Sequence, residues 1–162
     1  MRPNRLETLN NAPLEDLLII LLRQYKRLLA ERGVELTEAQ ISQIAQDIAT
    51  QKPVSALAID VRDALIQFVA ESEAVLARWN LTFEQSLQTT MTDMPGWEST
   101  SDFLEIANEK ANAELRISSA SALIAALGDL RYLPYLRQAI ARDPEEIESV
   151  VARRILAGKN VD

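Results

Sequence analysis

The chain has no cysteine and no histidine among its 162 residues. Without cysteine there is no disulfide framework, no all-thiolate zinc site and no thiol nucleophile. Without histidine, Ser-His triads, His general bases and most catalytic zinc sites are excluded as well. Glycine is scarce: Gly33, Gly96, Gly128 and Gly158 stand isolated, so none belongs to a Gly-rich phosphate loop, and three of them fit helix stops. Long apolar runs are missing too. The run at residues 17–22 follows Glu15 and Asp16. It is far shorter than the roughly 20 residues of a membrane span and lacks the positive lead of a signal peptide. No strand-length segment alternates with period two, so no sheet is expected.

Positive charge is also in deficit. The formal net charge is −7, and it is unevenly spread: residues 1–33 carry +2, residues 34–100 carry −7 and residues 101–162 carry −2. With no basic stripe, the chain is a poor match to a phosphate backbone. A pattern like a helix-turn-helix does occur, Leu-Thr-x-x-Gln at residues 36–40 followed by Val54-Ser55. Its second helix carries Asp60 and Asp63, which phosphate repels, so no nucleic-acid partner is expected.

What is present is helical periodicity. Apolar residues make up 48% and charged residues 25%, a globular balance. A chain of this length buries roughly 70% of its unfolded surface and needs no disulfide or metal staple. A polar stretch at residues 1–10 is expected to be loosely ordered. A first helix over residues 13–32 opens at Pro13 and stops at Gly33. Leu14, Leu17, Leu18, Leu21, Tyr25, Leu28 and Leu29 form its stripe, and Ile19, Ile20 and Leu22 widen it beyond one face. Such a helix must be covered on more than one side, as a central buried helix or as a homodimer seam.

Thr37 and Gln40 form a capping box for a second helix, with Leu36 and Ile41 as its staple. A third helix spans residues 55–79. Thr82 and Gln85 repeat the capping pattern 45 residues later, which predicts a short further helix that shares the same start. Met94-Pro95-Gly96-Trp97 reads as a turn, followed by a helix over residues 102–127 with a break near Ile117-Ser118-Ser119. A short helix over residues 130–142 comes next. The last helix is expected to take Asp143 as cap, Pro144 in its first position and Glu146 three residues after the cap.

Residues 127–136, Leu-Gly-Asp-Leu-Arg-Tyr-Leu-Pro-Tyr-Leu, resemble the inter-helix turn of HEAT-like repeats. In that family one helix ends at Leu-Gly-Asp, an Arg follows, and Leu-Pro opens the next helix. Gly128, Asp129, Arg131, Leu133, Pro134 and Leu136 stand at the matching offsets, and the resemblance covers residues 115–157. Within the preceding helix the Arg to Gly-Asp spacing departs from the pattern by one. The resemblance implies a stacked-helix scaffold that binds proteins and implies no catalytic residue.

Residues that invite chemistry read more simply as structure. Asp60 and Asp63, Glu105 and Glu109, and Glu145 and Glu148 are carboxylate pairs on single helical faces. Helical metal sites of that kind add Glu-x-x-His motifs, which this chain lacks, so solvated acidic faces are expected. Ser118, Ser119 and Ser121 have no histidine or Ser-x-x-Lys partner and suit close helix packing. Trp97 is either an exposed interface anchor or a plug beneath its loop.

These features predict an all-α chain: one compact multi-helix domain over residues 1–162, of about seven helices, with a HEAT-like helical hairpin at its C-terminal part. The function expected is a non-enzymatic, cytoplasmic protein–protein interaction or scaffold module that binds another protein or itself. Its candidate interface residues are Ile19, Ile20, Leu22 and Trp97. The alternative is a small-ligand or metal-binding regulatory bundle. No cofactor, nucleic-acid or membrane partner is expected.

Overall fold

Local start and stop chemistry cuts the chain into helices. The computed structural model describes the backbone of residues 8, 10–92 and 100–158, and the side chains of residues 8, 10–78 and 108–158. The described residues form six helices and no strand: α1 (Leu14–Glu31), α2 (Glu38–Ala49), α3 (Ala56–Thr92), α4 (Thr100–Ala126), α5 (Leu133–Arg142) and α6 (Ile147–Gly158). The expected loose order at residues 1–10 falls, apart from Thr8 and Asn10, outside the described residues.

Three helices close in the same way. At the end of α1, Gly33 takes φ 86°, its N–H donates to Ala30 O at 3.1 Å, and Val34 N–H donates to Leu29 O at 2.8 Å. At the end of α4, Gly128 takes φ 99°, with Gly128 N–H on Ala125 O at 3.0 Å and Asp129 N–H on Ile124 O at 3.1 Å. These paired bonds satisfy carbonyls that a helix end otherwise leaves open. The end of α2 makes the same pair, Gln51 to Ile48 at 3.1 Å and Lys52 to Asp47 at 2.8 Å, with glutamine at φ 58°. The capping box of α2 is complete: Thr37 Oγ1 accepts from Gln40 N–H at 3.1 Å, and Gln40 Oε1 accepts from Thr37 N–H at 2.8 Å. Ser55 Oγ accepts from Ala58 N–H at 3.2 Å and opens α3.

Several expected boundaries move. The helix expected after Thr82 does not exist as a separate element: α3 runs unbroken through Thr82 and Gln85, and six helices are described rather than about seven. A capping residue needs non-helical backbone before it, and residues 79–81, Trp-Asn-Leu, hold no glycine or proline to break the helix. The 45-residue echo therefore pairs a helix start with a helix interior. Likewise, α4 passes through Ile117-Ser118-Ser119 without a break. The helix expected from residue 130 begins later: Asp129 Oδ1 accepts from Arg131 N–H at 2.9 Å within the turn, and α5 starts beyond Tyr132 with Pro134 in its first turn. Asp143 closes α5, donating its N–H to Ala139 O at 2.8 Å, and its carboxylate takes Arg142 Nε at 2.9 Å. Consequently α6 starts later, on bonds from Ser149 and Val150 N–H to Glu146 O, both at 3.1 Å.

The chain divides into two units. The first comprises Met1–Gln67 and Ser118–Asp162, and the second is Phe68–Ile117. In the first unit α1 packs on α2 and α6, and α5 packs on α6. Leu17, Leu18, Leu21, Leu22 and Leu29 of α1 are all buried, joined by Ile41, Leu65 and Leu136. Each such side chain contributes roughly 1.5–3 kcal/mol by leaving water. Residues 118–125 of α4 are buried at every position, so this stretch is covered all round. Ser118, Ser119 and Ser121 lie in it, as their small size suggested. Ser149 Oγ donates to Ala139 O at 3.1 Å and ties α6 to α5. Outside the core, Glu38 receives Arg23 Nε at 2.9 Å and Lys26 Nζ at 3.5 Å, linking α2 to α1. The Arg23 hydrogen bond holds the Glu38 carboxyl below its ordinary value. In the second unit Phe68, Val69, Ser72, Ala113 and Ile117 are buried, while Val75 and Leu115 are exposed.

Gln51 supplies a direct test of the helix-closing geometry. A side chain in the left-handed region carries a steric penalty that glycine lacks. Gln51→Gly is expected to raise unfolding stability by about 0.5–1 kcal/mol in urea titration. An unchanged or lowered stability would contradict the left-handed stop at this position.

Candidate functional site

The helix ends of the first unit border a cavity of about 330 Å³. Its wall takes residues from the C-terminal ends of α2, α4 and α6, the first residue of α1, the first turn of α3 and the loop at residues 50–55. The three C-terminal ends stop here because of the left-handed turns at Gln51 and Gly128 and the end of α6 at Gly158. Every residue of the 50–55 loop is exposed. Gly128 matters by its size as well as by its φ. A Cβ there would stand 4.0 Å from Val54 Cγ2, so a longer side chain would reach the loop.

Most of the wall is aliphatic: Ile44, Ile48, Val54, Ala126, Leu127 and Ile155. Val54 is 38% exposed, leaving apolar surface in solvent. Three charged side chains also line the cavity, Asp47, Lys52 and Arg154. Asp47 Oδ1 accepts from Gln43 Nε2 at 2.9 Å. Arg154 Nη1 donates to Ala12 O, tying α6 to the residues before α1, and Arg153 Nη2 donates to Asn10 Oδ1 at 3.1 Å. Lys52 has no side-chain partner among the described residues. Ser55 is the one hydroxyl in the described wall, and its oxygen is engaged as the cap of α3. This arrangement suits binding: a volume at the lower end of the ligand-pocket range, apolar walls and a few polar groups that orient an occupant.

The residues singled out from the sequence lie elsewhere. Leu22 is fully buried inside the chain, Ile19 is half-buried and Ile20 is 39% exposed, and none of the three lines the cavity. The 17–22 run is thus largely covered within the chain, and Leu22 offers no surface to a partner. Trp97 and Glu105 lie outside the described side chains. Asp60 and Asp63 are exposed, with Asp63 Oδ1 3.7 Å from Arg62 Nε. Among the described residues no group of three acidic, histidine or cysteine side chains is placed to hold a metal ion. Nor is any described helix long and apolar enough to cross a membrane. The sequence reading missed Lys52, Val54 and Arg154. The signal available was Lys52-Pro53-Val54, which places a cation and an apolar residue together in a helix-ending loop.

Comparison of the chain with protein families, with curated proteins and with solved structures finds no match.

On α6, burial pushes the Glu148 carboxyl above its ordinary value, and Glu146 and Asp143 add repulsion. The folded chain therefore holds this proton to higher pH than the unfolded chain. The contribution of this group to stability falls as pH rises from the ordinary value of 4.5 through the raised one. Glu148→Gln removes that loss. Its urea midpoint should exceed the wild-type value at neutral pH, and the two should converge well below 4.5. A lower midpoint for the variant at neutral pH would contradict the raised carboxyl.

Proposed function

We propose that this chain is a non-enzymatic interaction module that receives an apolar side chain of a partner protein in the cavity at the helix ends of its first unit. The observation that carries the reading is an aliphatic cavity of about 330 Å³ beside the exposed Val54. A buried anchor residue in a pocket is the usual centre of a protein interface. The resemblance of residues 127–136 to a HEAT-like inter-helix turn supports the same reading, with Gly128 at positive φ and Pro134 in the first turn of α5. Ile20, 39% exposed on α1, offers a second contact through which a copy of the chain can pair. The lack of cysteine favours a reducing compartment such as the cytoplasm. The alternative, a small ligand in the same cavity, draws on its volume, which lies within the range of small-molecule pockets.

Displayed peptides selected on the full chain test this reading. The enriched peptides are expected to share a bulky apolar residue. They should lose at least tenfold in affinity for Ala49→Phe, which fills the cavity from a half-buried wall position. Val54→Asp, at an exposed position, should do the same without touching the core. Binding that both folded variants retain, or no enrichment at all, contradicts the proposal.

A further inference from the structure

The charges on the cavity wall say more about the occupant, on the footing that the cavity is a partner's docking site. Among the described wall residues two cations, Lys52 and Arg154, stand against one carboxylate, Asp47. Asp47 already accepts a hydrogen bond from Gln43. Neither cation meets a carboxylate among the described residues: Lys52 has no side-chain partner, and Arg154 gives one N–H to the Ala12 carbonyl. Arginine has five N–H donors, so most of its hydrogen-bonding capacity is left over.

We infer that the occupant is a segment of a partner protein in which a bulky aliphatic or aromatic residue stands beside an Asp or Glu. The apolar side chain fills the cavity between Ile44, Ile48, Leu127 and Ile155. The neighbouring carboxylate meets Lys52 and Arg154. Charge-assisted contacts of this kind are about twice as strong as neutral hydrogen bonds, and in proximity to an apolar anchor they choose among partners that share it. A segment with a basic residue beside its anchor meets Lys52 and Arg154 as like charges and is rejected.

The test uses the full chain and synthetic peptides. Peptides selected on the wild type are sequenced. One carrying an acid within two residues of its apolar anchor is then titrated by fluorescence polarisation, beside a version with Lys in place of that acid. Wild type should favour the acidic peptide at least tenfold. Lys52→Glu, a change at an exposed loop position, should reverse the preference. Arg154→Gln should weaken the acidic peptide by a larger factor than a wholly apolar one. Apolar peptides that bind without acid enrichment, or an unchanged preference in Lys52→Glu, overturn this inference while the docking reading stands. Failure of every apolar peptide overturns both. If every peptide fails while phenylacetate gives a thermal shift, the cavity takes a small carboxylate ligand instead, and both readings are overturned.

Discussion

Residues 118–125 of α4 are buried at eight successive positions, and the rest of the first unit is arranged around that constraint. A helix turns 100° per residue, so eight buried positions in a row require cover on every side. The sequence of the stretch is Ser-Ser-Ala-Ser-Ala-Leu-Ile-Ala, which keeps most side chains short enough for neighbouring helices to approach closely. Interiors pack at crystal-like density, so this spacing sets the positions of the covering helices. The leucines of α1 and the valines of α6 are buried as well, and α1 lies against both α2 and α6.

The cavity is a consequence of where those helices end. Three of them stop at one place, two through left-handed turns at Gln51 and Gly128, and the loop after α2 then crosses beside the gap. Closing bonds in these turns satisfy the last carbonyls locally, so the helix ends need no polar plug between them. The space between the ends is lined by the aliphatic side chains of the last turns. Among the described residues charge enters only through Asp47, Lys52 and Arg154. A site of this construction offers shape and a charge preference, the two features on which the proposed recognition rests.

Local features were legible in the sequence because their partners lie within a few residues. The Thr37–Gln40 box, the stops at Gly33 and Gly128 and the packing role of Ser118, Ser119 and Ser121 all belong to this class. Thr82 and Gln85 misled because a capping pair acts only where the preceding backbone leaves the helix. Asp143 misled because the same residue was needed to close α5. The left-handed turn at Gln51 gave no sign, since glutamine does not advertise positive φ. The cavity joins residues as distant as Leu14 and Gly158, and no local pattern encodes that meeting. An apolar run likewise does not say which of its members are covered: Leu22 is buried and Ile20 is not.

Hydrogen exchange of the native chain is the most direct measurement of the central constraint. If residues 118–125 are the centre on which the first unit is built, their amides open only with global unfolding and exchange with its free energy. They should then be the slowest amides in the chain, with a dependence on denaturant matching that of equilibrium unfolding. Exchange of these amides through a smaller local opening, while α1 and α6 stay protected, would contradict the account.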